Sequence, residues 1–148
     1  MKKAFIYTDA YFDYDYGLTH PLKIIRLKLT YELIKALGLL SLSSVQYLPT
    51  QKADEEDLAL YHSREYLHVL KKASEGHADQ SVYPFGLGPG DNPIFTGLYD
   101  WSLWVVGATL QAIEFVEKGE GDIAFNIEVA FTTPKNRGPL DSVISTIL

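Results

Sequence analysis

Apolar and polar positions follow two periods along this chain, and each period marks a different element. Ala4 to Tyr7 is a short apolar run between two lysines and an Asp-rich loop, which predicts a strand of a parallel sheet buried on both faces. The loop Thr8 to Thr19 follows. Ile24, Ile25, Leu27, Leu29, Leu33, Ile34 and Leu37 recur at helical spacing, with Pro21 near the first turn and Gly38 just past the end, so the stretch reads as a helix. Val45 to Leu48 predicts a second strand, closed by Pro49. Asp54 can cap a short helix through Tyr61, and Ser63 another that carries Tyr66, Leu67 and Leu70 to about Ser74 before Gly76. From His77 to Pro93 the chain is rich in Gly and Pro without periodicity, which predicts a long loop of the kind that is uncommon without a function or disorder behind it. Thr96 then opens a long apolar helix to about Lys118, and Gly119 to Gly121 turn it into a strand over Asp122 to Phe125.

Strand, crossover helix and strand together predict a layered α/β domain with a mostly parallel sheet. In such folds the functional loops gather at the carboxyl ends of the strands, here Tyr11 to Gly17 and Gly86 to Pro93. No internal repeat or linker divides the patterned region. The pattern fails only after Glu128, where VAFTTPKNRGPLDSVISTIL follows neither period.

Composition changes this picture in few places. A chain of 148 residues with 47% apolar and 13% aromatic content can bury one substantial core. A net charge of -6, with only the doublets Lys2-Lys3 and Lys71-Lys72 as basic clusters, argues against nucleic-acid binding. The longest apolar stretch, Leu98 to Val116, is broken by Asp100, Ser102, Gln111 and Glu114 and reads as a buried helix, so no membrane span is expected. Zero cysteines rule out disulfides and thiolate metal sites in this sequence and fit a cytoplasmic location.

Candidate chemistry is sparse. The run Tyr11, Phe12, Asp13, Tyr14, Asp15, Tyr16 could grip a cation through rings and carboxylates; packing-down of the rings is the plainer reading. Gly86, Gly88 and Gly90 are spaced GxGxG around Pro89 with no strand before them, which fits a turning loop better than a dinucleotide site. His20, His62, His68 and His77 do not converge by spacing on a catalytic zinc, which takes three protein ligands, and are read as ordinary histidines. Asp54 to Asp57 are four acids that suit the first turn of a helix, and Trp101 and Trp104 read as core.

Three segments carry a family resemblance: YGLTHPLKIIRLKL (16–29), LYHSREYLHVLKKA (60–73) and GPGDNPIFTGLYDWSLWVVGATLQAIE (88–114). Each resembles the histone deacetylase family, including the bacterial acetoin utilization proteins, and the likeness covers nearly all of residues 1–128. The unpatterned tail adds to it. Restoring one guanine after the Glu128 codon permits the reading GGLHHAKKQRASGFCYINDP, with the His-His pair that follows the AFN strand in that family. Residues 1–128 therefore read as a truncated deacetylase-like domain and 129–148 as an out-of-frame tail.

The resemblance implies the N-terminal part of an arginase/deacetylase-like three-layer fold, incomplete in this chain. It implies that Asp91 is the rim acid binding the backbone of an acyl-lysine substrate and that Arg26 lines the inner acetate channel. His20 and Pro21 match a loop-shaping motif, and the resemblance moves the aromatic and acidic run Tyr11 to Tyr16 from plain packing towards a pocket rim. The family hydrolyses acetyl-lysine or acetylamine amides with zinc, but its zinc ligands, proton-transferring histidines and oxyanion tyrosine have no counterpart here. The expectation is thus an inactive chain with no catalytic residue, no metal ligand and no cofactor of its own. Uncovered apolar surface then predicts self-association or pairing with a missing C-terminal half. A split deacetylase half or a non-catalytic binding module is the second reading, and an unrelated small-molecule binder the third.

Overall fold

The computed structural model describes residues 1–18, 20–21, 23–88 and 92–128. Three strands form a parallel sheet in the order β2-β1-β3, with β1 at Lys3–Tyr7, β2 at Val45–Pro49 and β3 at Ile123–Asn126. The register sets Phe5 beside Tyr47 on one side and Phe125 on the other. β1 is the central strand, and Ala4 to Tyr7 are buried as the unbroken apolar run requires.

Helix α1 (Ile25–Ala36) joins β1 to β2 across one face of the sheet, where its Tyr31 ring stacks on Tyr7 at 4.0 Å and on Phe5 at 6.2 Å. Gly38 ends the helix in the left-handed conformation, as its place in the sequence suggested. The seven apolar positions that marked this helix, together with Tyr31, divide between two sides. Ile24, Leu27, Tyr31 and Ile34 pack inward, whereas Ile25, Leu29, Leu33 and Leu37 are exposed along an i, i+4 ridge.

Three further helices build the opposite layer. α2 (Glu55–Ala59) begins with a reciprocal cap: Asp57 N–H donates to the Asp54 carboxylate at 3.0 Å and Asp54 N–H to the Asp57 carboxylate at 2.9 Å. It stops short of the predicted Tyr61, and Leu60 is 85% exposed. α3 (Arg64–Ser74) is capped by the Ser63 hydroxyl, which accepts from Tyr66 N–H at 3.1 Å. α4 (Leu98–Glu117) contacts β1 and β3 on the face away from α1 and also packs on α2 and α3. Leu58, Leu67, Leu70, Ala73, Val82, Tyr99 and Leu103 form the core between these helices. The stretch expected as a plain loop contains a 3-10 turn at Gln80–Phe85, because the Asp79 side chain accepts from Ser81 N–H at 2.8 Å and starts it. Among the described residues no helix is long and apolar enough to cross a membrane. The tail 129–148 and its domain assignment lie outside the described residues.

Candidate functional site

The loops at the carboxyl ends of β1 and β3 meet the first turns of α4 in an aromatic cluster. Thr8 starts a 3-10 turn over Asp9–Asp13 by accepting from Ala10 N–H at 3.2 Å, and Tyr7 OH donates to Asp9 at 3.0 Å. That turn brings Tyr11 under α4, fully buried, with its ring edge-on to Trp101 at 5.3 Å. Tyr14 and Tyr16 approach the same indole edge-on at 5.6 and 5.7 Å, and Phe95 closes the group 5.3 Å from Tyr16. Such edge-to-face pairs set the positive rim of one ring on the negative face of the next. The Tyr14 ring lies so close to the chain at Gly97 that a Cβ there would sit 2.6 Å from it, and Gly97 also has φ +85°; both demand glycine at the start of α4.

His20 is buried beside the cluster, its ring 4.8 Å from Tyr16, on a loop that Lys23 pins by donating to the carbonyls of Gly17 and Leu18 at 3.1 and 2.6 Å. The aromatic and acidic run therefore packs down rather than standing open to grip a cation. Among the described residues Phe12 faces one, the Lys28 ammonium at 5.6 Å.

From β3, Asn126 accepts from Glu128 N–H at 3.2 Å and donates to Thr109 at 3.4 Å, turning the chain toward the tyrosines. Burial raises the Glu128 carboxyl to about 7, an unusual value for a glutamate. The same burial lifts the Tyr11 phenol to about 12 and the Tyr16 phenol beyond the ordinary range, and the nearby Glu128 charge adds to both. The Thr50 hydroxyl offsets part of the Tyr11 shift, although neither of these hydroxyls makes a well-aligned hydrogen bond among the described residues. Glu128 thus stands at a polar patch in an apolar floor, where its protonation is set near neutrality.

This carries a sign. A carboxyl whose folded value lies above its unfolded 4.5 takes up protons on folding between pH 4.5 and 7, so stability falls as pH rises through that window and levels off above it. In Glu128→Gln the downward slope from this group is expected to vanish. Urea unfolding from pH 4.5 to 8 measures it, and identical slopes in the two proteins would show that the carboxyl is not buried.

At the rim loop, Gly88 N–H donates to the Asn92 carbonyl at 2.9 Å and Asn92 Nδ2 to the Gly86 carbonyl at 3.2 Å, which ties Gly86 and Gly88 to Asn92. Asp91, the substrate-binding candidate, lies outside the described residues. Arg26 is on the exposed side of the first turn of α1. The other histidines do not gather: His62 stacks on Tyr66 at 4.8 Å with its pKa lowered by burial, His68 is exposed on α3, and His77 lines a shallow cavity with Lys72, Glu75 and Asp79. Among the described residues no three His, Cys, Asp or Glu side chains are placed to hold a metal. Pattern reasoning singled out neither Glu128 nor Thr50. A lone glutamate after a strand carries no signal until the fold places tyrosines around it.

Comparison with known proteins agrees with this arrangement. The histone deacetylase domain model matches residues 20–132. The acetoin utilization protein AcuC of Bacillus subtilis (strain 168) is 32% identical over 125 residues, covering 84% of this chain and 32% of that protein. Histone deacetylase 2 of Oryza sativa subsp. japonica is 34% identical over 128 residues, covering 84% of this chain and 25% of that one. The crystal structure of an HDAC homolog from Aquifex aeolicus superposes with a TM-score of 0.72 at 30% identity, covering 85% of this chain and 33% of the homolog. The chain spans about a third or less of the length of these relatives. A match that takes in the buried His20 loop, both helical layers and β3 is a match to the body of the fold, and on that ground the chain belongs to the histone deacetylase domain family.

Proposed function

We propose that residues 1–128 are the N-terminal scaffold of a zinc-dependent acetyl-lysine or acetylamine amidohydrolase, truncated by loss of the reading frame after Glu128, and that this chain alone has no deacetylase activity. The observation that supports this best is the family match over about a third of its relatives' length, with histidines that do not converge among the described residues. A catalytic zinc needs three converging nitrogen or oxygen ligands and an open position for water. His62 is committed to its ring stack and His20 is packed against Tyr16 on another loop, so these histidines offer no common centre. Without a Lewis acid to polarise the acetyl carbonyl, no nucleophile is activated here, and no catalytic step is assigned to this chain.

In the same reading Asp91 contributes the rim contact to an incoming acyl-lysine backbone, and Arg26 belongs to the inner channel of the complete enzyme. The absence of cysteine suits a reducing cytoplasm. The test is direct: the purified chain, incubated with zinc and an acetyl-lysine peptide, is expected to release no acetate above a chelator-treated control. Chelator-sensitive turnover would overturn the proposal. Sequencing the gene around the Glu128 codon tests the frame itself, and an intact native frame through Leu148 would remove the frameshift.

A further inference from the structure

Helix α1 turns a second apolar line away from the sheet. Ile25, Leu29, Leu33 and Leu37 follow one another a turn apart on its outer side and are 53%, 62%, 58% and 63% exposed. Projected down the helix axis, Arg26 falls on one flank of this ridge and Lys28 and Lys35 on the other, all three exposed. The Lys28 and Lys35 ammonium groups lie 5.6 and 5.9 Å from the rings of Phe12 and Tyr31, beside the ridge and not over it. Residues 23–37 hold four cations against the single acid Glu32, a net +3 that leaves -9 for the rest of a chain whose total is -6.

We propose that the outer face of α1 docks this chain on an anionic lipid surface, with the helix lying flat, its four apolar side chains in the headgroup boundary and its lysines at the lipid phosphates. The charge balance selects an anionic counterpart, and the shape selects a surface. A ridge about 18 Å long and one side chain wide falls well short of the roughly 800 Å² per partner that a stable protein interface covers. A second copy of this chain would also set +3 against +3 along the same line. A bilayer asks for no matching groove, because a few side chains enter its boundary while Lys and Arg meet the headgroups. Ile123 and Phe125 on β3, 45% and 49% exposed, form no second face of this kind, since residues 119–128 carry Glu120, Asp122 and Glu128 and no cation.

The experiment sediments the full 148-residue chain with vesicles of phosphatidylcholine, alone or with roughly 30% phosphatidylserine. Binding to the anionic vesicles is expected to exceed binding to the neutral ones at least about tenfold and to weaken as salt screens the lysines. Leu29→Ser combined with Leu33→Ser is expected to lower the affinity at least about tenfold, and Lys28→Gln combined with Lys35→Gln about tenfold. Leu60→Ser, at a residue 85% exposed in the opposite helical layer, keeps full binding. Circular dichroism checks that each variant folds, and the lysine pair carries the test if the leucine pair does not. No binding, equal binding to both kinds of vesicle, or binding indifferent to the α1 variants would each overturn the proposal. Self-association that needs Leu29 and Leu33, without vesicle binding, would assign the ridge to a second copy and overturn it too. Turnover, present or absent, bears on the proposed inactivity and not on this face.

Discussion

Replacing Gly107 with alanine is expected to destabilise the chain by about 3 kcal/mol, lowering the midpoint of thermal unfolding by roughly 10 °C. On helix propensity alone the sign would be opposite, since alanine gains about 1 kcal/mol over glycine inside a helix. Position decides otherwise. A Cβ at Gly107 would stand 2.0 Å from the Gln51 carbonyl oxygen and 2.6 Å from the Ala53 nitrogen, both backbone atoms. Neither can step aside cheaply. Ala53 N–H donates to the Leu103 carbonyl at 3.0 Å, Gln51 N–H to the Gln111 side chain at 3.1 Å, and Gln111 returns a bond to the Pro49 carbonyl at 3.1 Å. The segment after β2 is therefore tied to α4 over about two turns, and a methyl group between them must break those ties or lift the helix. A thermal melt with an unchanged or higher midpoint would show that α4 does not rest on this segment.

Trp101→Ala is expected to lose about 3–5 kcal/mol and, with it, most of the near-ultraviolet circular dichroism of the aromatic loop. The indole is buried, and three tyrosines from the β1 loop lean on it edge-on. Removing it empties the space that holds Tyr11, Tyr14 and Tyr16 in place, so the loop loses its anchor as well as its packing. Trp104→Ala provides the contrast. That ring is only partly buried and lies 5.7 Å from the Lys52 ammonium, and its loss is expected to cost about 1–2 kcal/mol. Equal losses for the two tryptophans, measured by urea unfolding, would show that the cluster is not organised around Trp101.

The two predictions touch opposite ends of one design. Gly107 lets α4 approach the sheet layer, and Trp101, two turns earlier, lets the same helix gather the loops at the carboxyl ends of the strands. The helix that builds the core is thus the one that shapes the site. This is why the aromatic run after β1 packs down: its rings face a large indole that desolvates them, and burial then raises the phenols of Tyr11 and Tyr16 well out of the physiological range.

Much of this was legible in the residues. The apolar run at Ala4 to Tyr7, the cap residues Asp54 and Ser63, the glycine after α1 and the periodic stretch of α4 gave the three strands and four helices close to their observed bounds, because each signal is local. Family membership was legible for the same reason, through short segments that keep their order. Less local features were not. The α1 pattern showed a helix with apolar residues on too many sides, and it took the sheet to decide that Ile24, Leu27, Tyr31 and Ile34 face inward while Leu29 and Leu33 face out.

What the sequence by itself determined, then, is the order and kind of the elements, the family to which they belong and the absence of a zinc-ligand spacing among the histidines. Only the tertiary structure decided which strand lies in the middle, that Glu128 sits in a desolvated corner beside Tyr11 and Tyr16, and that β3 presents an apolar margin. The division has one cause. Helix and strand periods and caps are written in neighbouring residues, whereas burial of a carboxylate or exposure of Phe125 depends on groups brought together from more than a hundred positions apart.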